Sequence, residues 1–517
     1  MSVSNHFINR LPAELLALVF INALPTIHLA KDVKPLSLAQ SPLNVSHVCR
    51  DWRRLALSTP QLWARVHFNI NRCSNLDEFY NKTQSVNAFL KRSSNVELVA
   101  NIVGIPYYSA PMYKIGVSTE DWANVGNLVL KPIVRAQNRW RSLRIIMPVS
   151  LWLFAYEKDE MPSIGGCNHV EELELQFVGF IPLEDRRVSR PEPWQVDVDI
   201  ARWSKVRRLC LGDWNTMLLD NISTNLAHLT SFRLPISSYY PIDTIFNVLA
   251  QAPQLEELQI RQPFSEFQSQ PITVCLPRLR KLHLIGPDDL QIVRPYNNAR
   301  EGQMENILNR LTLPFLQRLY IDAGEVGNPD VVVHSMCDML ERSSAPLLKL
   351  ALQFPRLQDE TLLRCLHSVP LLESLSFSPC YFDPVALLNG LIAHENLELV
   401  ATLCPQLQGL TLKYISPSLH PILSQILLSR SPPGGVDYEP PQSARHQLKT
   451  FQVARYGTRV LQVLNIANRF DNGSFEDEEG LRLTPNDDVD QSLVEDEMVA
   501  RLISRGLKVA FNTGWVW

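Results

Sequence analysis

Residues 276–284 read LPRLRKLHL, and residues 313–321 read LPFLQRLYI. In each, a proline precedes three apolar sites at the same offsets: Pro277 before Leu279, Leu282 and Leu284, and Pro314 before Leu316, Leu319 and Ile321. The last two sites lie two residues apart, so they share one face of a short strand. Pro253, Pro370 and Pro405 open the same pattern in 252–260, 369–377 and 404–412. Outward from these five, the apolar triplet continues at Trp140/Leu143/Ile145, Val170/Leu173/Leu175, Val206/Leu209/Leu211, Leu229/Phe232/Leu234, Leu347/Leu350/Leu352 and Leu448/Phe451/Val453. That makes eleven copies, 23 to 41 residues apart. Helix-like stretches fall between them at 242–251, 331–342, 359–368 and 386–403.

Strand and helix alternating at such intervals is the signature of stacked repeats, because one unit cannot bury its strand face alone. The expected fold class is α/β, with parallel strands on one side and helices on the other. Leu258, Leu282, Leu319, Leu375 and Leu410 are expected to be buried in neighbouring strands. An ordinary α/β domain with a parallel sheet is the competing architecture. The pattern resembles an irregular leucine-rich repeat, which implies a solenoid with strands concave and helices convex. It departs from that family in lacking a regular Asn or Cys after the strand.

If the repeat leucines point inward, the residues between them line the concave face. The central copies then present Lys281, His283, Arg318, Tyr320 and Lys349, and the N-terminal copy presents Glu172 and Glu174. A basic centre with one tyrosine suits an acidic or phosphorylated segment of a protein substrate. The same charges also serve a surface that is only solvated.

The N-terminus carries a second signal. Residues 11–25 read LPAELLALVFINALP, and residues 41–68 read SPLNVSHVCRDWRRLALSTPQLWARVHF. Pro12 with Glu14, Ser41-Pro42 and Thr59-Pro60 mark three helix starts. Leu15, Leu16, Leu18, Val19, Phe20 and Ile21 point in nearly every direction around the first helix. A unit of about 60 residues cannot bury all of them, so an apolar face is left for a partner. The second helix is expected to carry Leu43, Val45, Val48, Cys49, Trp52 and Leu55, with Trp63 as internal core and Trp52 as a candidate contact.

Leu11-Pro12, Glu14-Leu15-Leu16, Val48-Cys49-Arg50-Asp51-Trp52-Arg53 and Leu62-Trp63 resemble an F-box, most closely the large fungal F-box-like families. The joint at 26–40 is longer than in a minimal F-box. The resemblance implies docking on the SKP-type adaptor of a cullin-based ubiquitin ligase through Leu11, Pro12, Glu14, Leu15, Leu16, Val19, Phe20, Leu43, Val45, Val48, Cys49 and Trp52. It implies a substrate-recognition subunit of the SCF type, cytoplasmic or nuclear, with the repeats holding a protein substrate. An F-box scaffold outside ubiquitination and a repeat-fold ligand receptor are the alternatives. The expected organisation is an F-box at 1–70, a connecting and lead-in segment at 71–139, the repeats at 140–460, and an acidic loop with a C-terminal cap at 461–517.

Bulk properties narrow the class further. A chain of 517 residues exceeds one core. A formal charge of −4 is unlike a general nucleic-acid binder. The nine cysteines show no C-x-x-C spacing, which fits buried, reduced thiols. The apolar run 15–24 lies behind Arg10 as a signal-peptide core would, but Glu14 abuts it and no small-x-small site follows. No stretch of eighteen uncharged apolar residues occurs, so no membrane span is expected.

The sequence offers no catalytic, metal or cofactor site. It lacks G-x-S-x-G, G-x-x-x-x-G-K-S/T, G-x-G-x-x-G and H-E-x-x-H. Cys365 and His367 are two apart on a helix and do not face each other, so they are read as packing and surface residues. Glu171, Glu172 and Glu174 are read as a solvated strand face. The chain is therefore expected to be a non-enzymatic binding protein.

Overall fold

The computed structural model describes residues 11–24, 42–69, 76–104, 126–147, 169–177, 205–212, 226–234, 242–261, 272–286, 303–323, 328–354, 359–379, 385–392, 403–413, 420–429, 450–454 and 508–510. The joint 26–40 and, apart from 508–510, the segment 461–517 expected to form an acidic loop and C-terminal cap lie outside them. The chain divides into two compact units, one built on residues 1–228 with 463–477 and the other on 229–462 with 478–517.

The first unit opens with α1 (Ala13–Ala23), α2 (Pro42–Val48) and α3 (Arg50–Leu57). The expected single helix after residue 41 is two helices. Cys49 interrupts it in extended conformation, and its Sγ accepts the Trp52 N–H at 3.4 Å as the cap of α3. Thr59 precedes a short 3-10 turn, Pro60–Trp63, but its side chain does not cap that turn. Its hydroxyl instead donates back to the Leu55 carbonyl at 2.7 Å, closing α3.

Strands β1 (Arg65–Asn69), β2 (Leu98–Val103), β3 (Trp140–Met147), β4 (Glu172–Phe177) and β5 (Arg208–Gly212) follow, each parallel to the one before. The helix α4 (Leu76–Arg92) connects β1 to β2. A further short helix, α5 (Lys131–Arg135), precedes β3. Strand β2 falls in the segment 71–139 expected to lead into the repeats. The strand β1 was not anticipated, and it places the start of the parallel sheet directly behind the helical segment.

The second unit repeats one motif. Its strands are β6 (Ser231–Leu234), β7 (Glu257–Arg261), β8 (Val274–Cys275), β9 (Lys281–Ile285), β10 (Leu311–Thr312), β11 (Arg318–Asp322), β12 (Lys349–Phe354), β13 (Ser374–Pro379), β14 (Gly409–Lys413), β15 (Thr450–Ala454) and β16 (Lys508–Ala510). Apart from β8 and β10, which pair with each other, they form a parallel sheet in chain order. All eleven copies of the sequence triplet therefore end in strands of parallel sheets. The intervening helices are α6 (Ile242–Ala250), α7 (Gln303–Asn309), α8 (Pro329–Ser343), α9 (Asp359–His367), α10 (Val385–Gly390) and α11 (His420–Ser429).

The register shows why the triplet works. Leu258, Leu282, Leu319, Leu350, Leu375 and Leu410 occupy equivalent positions on adjacent strands. Each is at most 1% exposed, as expected for residues on the face covered by the helices. The helices supply the other half of that core through Phe246, Val333, Met336, Leu362, Leu366, Leu387 and Leu388. Local signals start the helices: Asn328 Oδ1 accepts the Asp330 N–H at 3.0 Å ahead of Pro329, the first residue of α8. Buried polar groups are matched where the core needs them. Arg310 pairs with Asp243 at 2.6 Å and lies over the Phe246 ring.

Candidate functional site

The first helix of the N-terminal segment has two apolar faces with different fates. At about 100° per residue, Leu16, Phe20 and Leu24 fall on one arc, while Leu15, Leu18 and Val19 fall on the neighbouring arc. The first set is buried with Ala56, Leu62 and Trp63 in a small core. Trp63 is fully buried, its Nε1 donates to the Ala56 carbonyl at 2.8 Å, and Phe89 of α4 meets it edge-on. Arg65 reaches from β1 to the Leu24 carbonyl at 3.3 Å and satisfies the end of α1.

The second set has no cover. Leu11, Leu15, Leu18, Val19, Val48 and Leu57 are between 38% and 60% exposed. These are six of the eleven large apolar side chains exposed among the described residues. Their concentration on so short a segment marks a surface built to lose water on binding. Around it, Leu43 and Val45 are half-buried against the core, and Trp52 packs on Phe20 with ring centroids 4.7 Å apart.

Residues 8–69 match the F-box-like family model.

No curated protein matches the chain. Within the F-box-like domain, the candidate docking residues divide by position. Leu11, Pro12, Glu14, Leu15, Val19, Val48 and Cys49 are exposed, and Leu43, Val45 and Trp52 are half-exposed. Leu16 and Phe20 are turned inward and serve the fold of the domain. Leu18 and Leu57 join the exposed set although sequence reasoning did not name Leu57 and did not separate Leu18 from its neighbours. The signal for Leu18 was its place on the Leu15–Val19 arc.

The second candidate surface is the strand face of the second unit. Lys281, Arg318 and Lys349 stand side by side on β9, β11 and β12, and His283 and Tyr320 stand side by side one step further along. The structure divides this group of five. Arg318 is exposed, Lys281 and Lys349 are partly exposed, and Lys281 is ion-paired with Glu257. Tyr320 is buried with Ile285 and Ala351, and its hydroxyl donates to Asp322 at 3.3 Å. His283 meets Tyr320 edge-on at 4.0 Å. Burial, with Arg233 and Arg261 nearby, lowers the His283 pKa to about 3, so it is neutral at pH 7. Burial and Asp322 raise the Tyr320 pKa. Tyr320, buried, and His283, half-buried, thus form a polar–aromatic pair, and the basic surface consists of Lys281, Arg318 and Lys349.

The corresponding face of the first unit is charged but internally matched. Arg141 pairs with Glu171 at 3.3 Å, Arg208 with Glu172 at 2.7 Å, and Arg144 with Glu174 at 3.0 Å. Glu174 is therefore not a solvated carboxylate: both members of its pair are largely buried. Cys365 is fully buried and His367 exposed, as expected from their spacing. A hydrogen bond with Cys337, together with burial, raises the Cys365 pKa. Among the described residues, no group of three or more His, Cys, Asp or Glu is placed to hold a metal ion, and no helix is long and apolar enough to cross a membrane.

Proposed function

We propose that the chain is a substrate-recognition subunit of an SCF-type ubiquitin ligase. The observation that carries the reading is the uncovered apolar face of the F-box-like domain, Leu11, Leu15, Leu18, Val19 and Val48. F-box domains commonly dock on SKP-type adaptors, and this face has the chemistry of such a contact: apolar, carried mainly by α1 with Val48 at the end of α2, and backed by the Leu16–Phe20–Trp63 core. The parallel-strand units then act as a leucine-rich-repeat-like solenoid that holds a protein substrate near the ubiquitin-charged enzyme recruited through the adaptor and its cullin. In this reading catalysis is by proximity, the chain supplies no reacting group, and it works in the cytoplasm or nucleus.

The test uses the full chain. Leu15→Asp, on the exposed arc, should abolish capture of a recombinant SKP-type adaptor and leave the thermal unfolding of the chain unchanged, because a charge in a desolvated interface centre is strongly unfavourable. Leu16→Asp, one residue away, should disrupt the domain itself. Undiminished adaptor capture by a folded Leu15→Asp chain would refute the docking assignment.

A further inference from the structure

In the second unit the in-register columns continue upstream of the strands. The carbonyl of Glu256 accepts the N–H groups of Arg280 and Lys281, that of Arg280 accepts those of Gln317 and Arg318, and that of Gln317 accepts those of Leu348 and Lys349. The carbonyl of Leu348 in turn accepts those of Glu373 and Ser374. Each strand thus enters the sheet in the same way, and the turn residues three positions earlier fall into a column of their own. That column contains Arg278, Phe315, Pro346 and Leu371.

Two large apolar side chains in this column are bare: Phe315 is 58% exposed and Leu371 is 42% exposed. They sit at the entries of β11 and β13, with β12 between them. Two strand spacings separate them, about 10 Å. Beside them lie Arg278, Arg280, Arg318 and Lys349. Among the described residues none of these four has an acidic partner. Glu256 and Glu257 bound the basic stretch on one side and Glu373 on the other, so the cations lie on β9, β11 and β12 and at their entries; Phe315 stands within the stretch, and Leu371 stands at its far end beside Glu373.

We infer that this strand-entry edge is the substrate-docking surface, and that it takes an acidic protein segment with two apolar residues three positions apart. The inference rests on the reading that the second unit holds substrates, and it names their chemistry. Carboxylates satisfy the four unmatched cations. The spacing follows from the distance between Phe315 and Leu371: in an extended polyproline-type chain, residues i and i+3 lie on the same side about 9 Å apart. Both apolar side chains of such a segment would reach the two anchors while the acidic residues between and around them face the arginines.

The experiment is a fluorescence-anisotropy titration of the full chain with a labelled synthetic peptide. The peptide carries phenylalanine and leucine three residues apart among glutamates. Binding should be saturable and should weaken as salt rises from about 0.1 to 0.5 M. The double variant Arg318→Glu/Lys349→Glu should bind at least about tenfold more weakly, and Phe315→Ser about fivefold more weakly. Each variant is checked by thermal unfolding against the parent chain. If the charge reversals unfold it, Arg278→Ala with Arg280→Ala replaces them, with the same direction expected. Equal binding by parent and folded variants overturns the inference. So does equal binding of a peptide whose two apolar residues are serine, or of a phosphoserine peptide without them, since the site would then read charge alone. Adaptor capture is scored on the same proteins. A parent chain that binds the peptide but captures no adaptor refutes the adaptor reading and leaves this surface standing.

Discussion

Both units carry charge along their strands and treat it in opposite ways, most directly where Glu172 and Arg208 hold the position that Lys281, Arg318 and Lys349 hold in the second unit. On β3 and β5 each arginine meets a glutamate on β4 or just before it: Arg141 with Glu171, Arg144 with Glu174, Arg208 with Glu172. On β9, β11 and β12 the ladder begins in the same manner, with Lys281 against Glu257, and then runs on through Arg318 and Lys349 without an acid among the described residues. Opposite charges on adjacent strands stabilise a sheet and like charges weaken it. A row of like charges is therefore a local cost that stability alone does not explain. The first unit uses its charges to hold strands together; the second leaves its charges available.

The frame beneath both rows is the same, and this gives the largest expected effect. Leu173 on β4 and Leu319 on β11 are both almost completely buried. Leu173→Ala and Leu319→Ala should each destabilise the protein by roughly 2–5 kcal/mol, from lost transfer energy and the cavity left behind. Chemical denaturation followed by circular dichroism measures this. If one leucine proves tolerant and the other not, the two units do not share a construction principle, and the contrast between their charged rows loses its basis.

The next effect separates the rows. Arg144 and Glu174 are 16% and 14% exposed, so removing one partner strands the other in a poorly solvated place. Arg144→Ala should cost about 2 kcal/mol, below the roughly 3–5 kcal/mol of breaking a fully buried pair because some water reaches both groups. Arg144→Ala combined with Glu174→Ala should recover part of the loss, since no uncompensated charge remains. A double variant as unstable as the single one would show that the pair is not what Arg144 contributes.

Much of this was legible in the sequence, for a physical reason. Apolar sites two apart dictate which face of a strand is buried, and in five of the eleven copies a proline at a fixed offset marks where the strand begins. Every triplet from Trp140 to Val453 accordingly became a strand in a parallel sheet, and the proposed core leucines are core. What lay beyond reach was the opposite face. A period of two guarantees that Leu282 and Leu319 are inside; it says nothing about whether His283 and Tyr320 are covered as well, because that depends on residues distant in the chain. The same holds at the N-terminus. Helical periodicity showed that α1 has more apolar surface than it can bury, but only the position of Trp63 and Ala56 decides that Leu16 is inside and Leu15 outside. The break at Cys49 had no strong signal, since neither glycine nor proline marks it. Strand β1 was hidden because Val66 and Phe68 are a short alternation running straight on from the F-box-like helices.

The half-buried His283, one step along the strands from the basic row, predicts a dependence on pH. The folded pKa of His283, about 3, lies below its ordinary value of 6.5. The unfolded chain therefore takes up the proton first as pH falls. The contribution of this histidine is complete above pH 6.5 and is lost progressively between pH 6.5 and about 3. Between about pH 6 and 5 the loss should be about 1 kcal/mol or less, because the ring is only partly shielded from water. His283→Gln should flatten that part of the stability profile, measured as denaturation midpoint against pH. An unchanged profile would place the acid sensitivity elsewhere.

The smallest expected effect carries the sharpest form of the comparison. Arg318 is exposed and has no acidic partner among the described residues. Removing it takes away no packing and breaks no ion pair, and it relieves repulsion from Lys281 and Lys349 on either side. Arg318→Ala should therefore change stability by less than about 0.5 kcal/mol, with the sign leaning toward stabilisation. Lys349→Ala should behave alike. Calorimetry at low and moderate ionic strength measures both, and the small gain should shrink as salt screens the repulsion. A loss comparable to that of Arg144→Ala would mean that Arg318 is held by the fold after all, and that the two units use charge in the same way. Near-neutrality here, set beside a large penalty at Arg144, is the pattern expected when one row of charges serves the sheet and the other serves a partner.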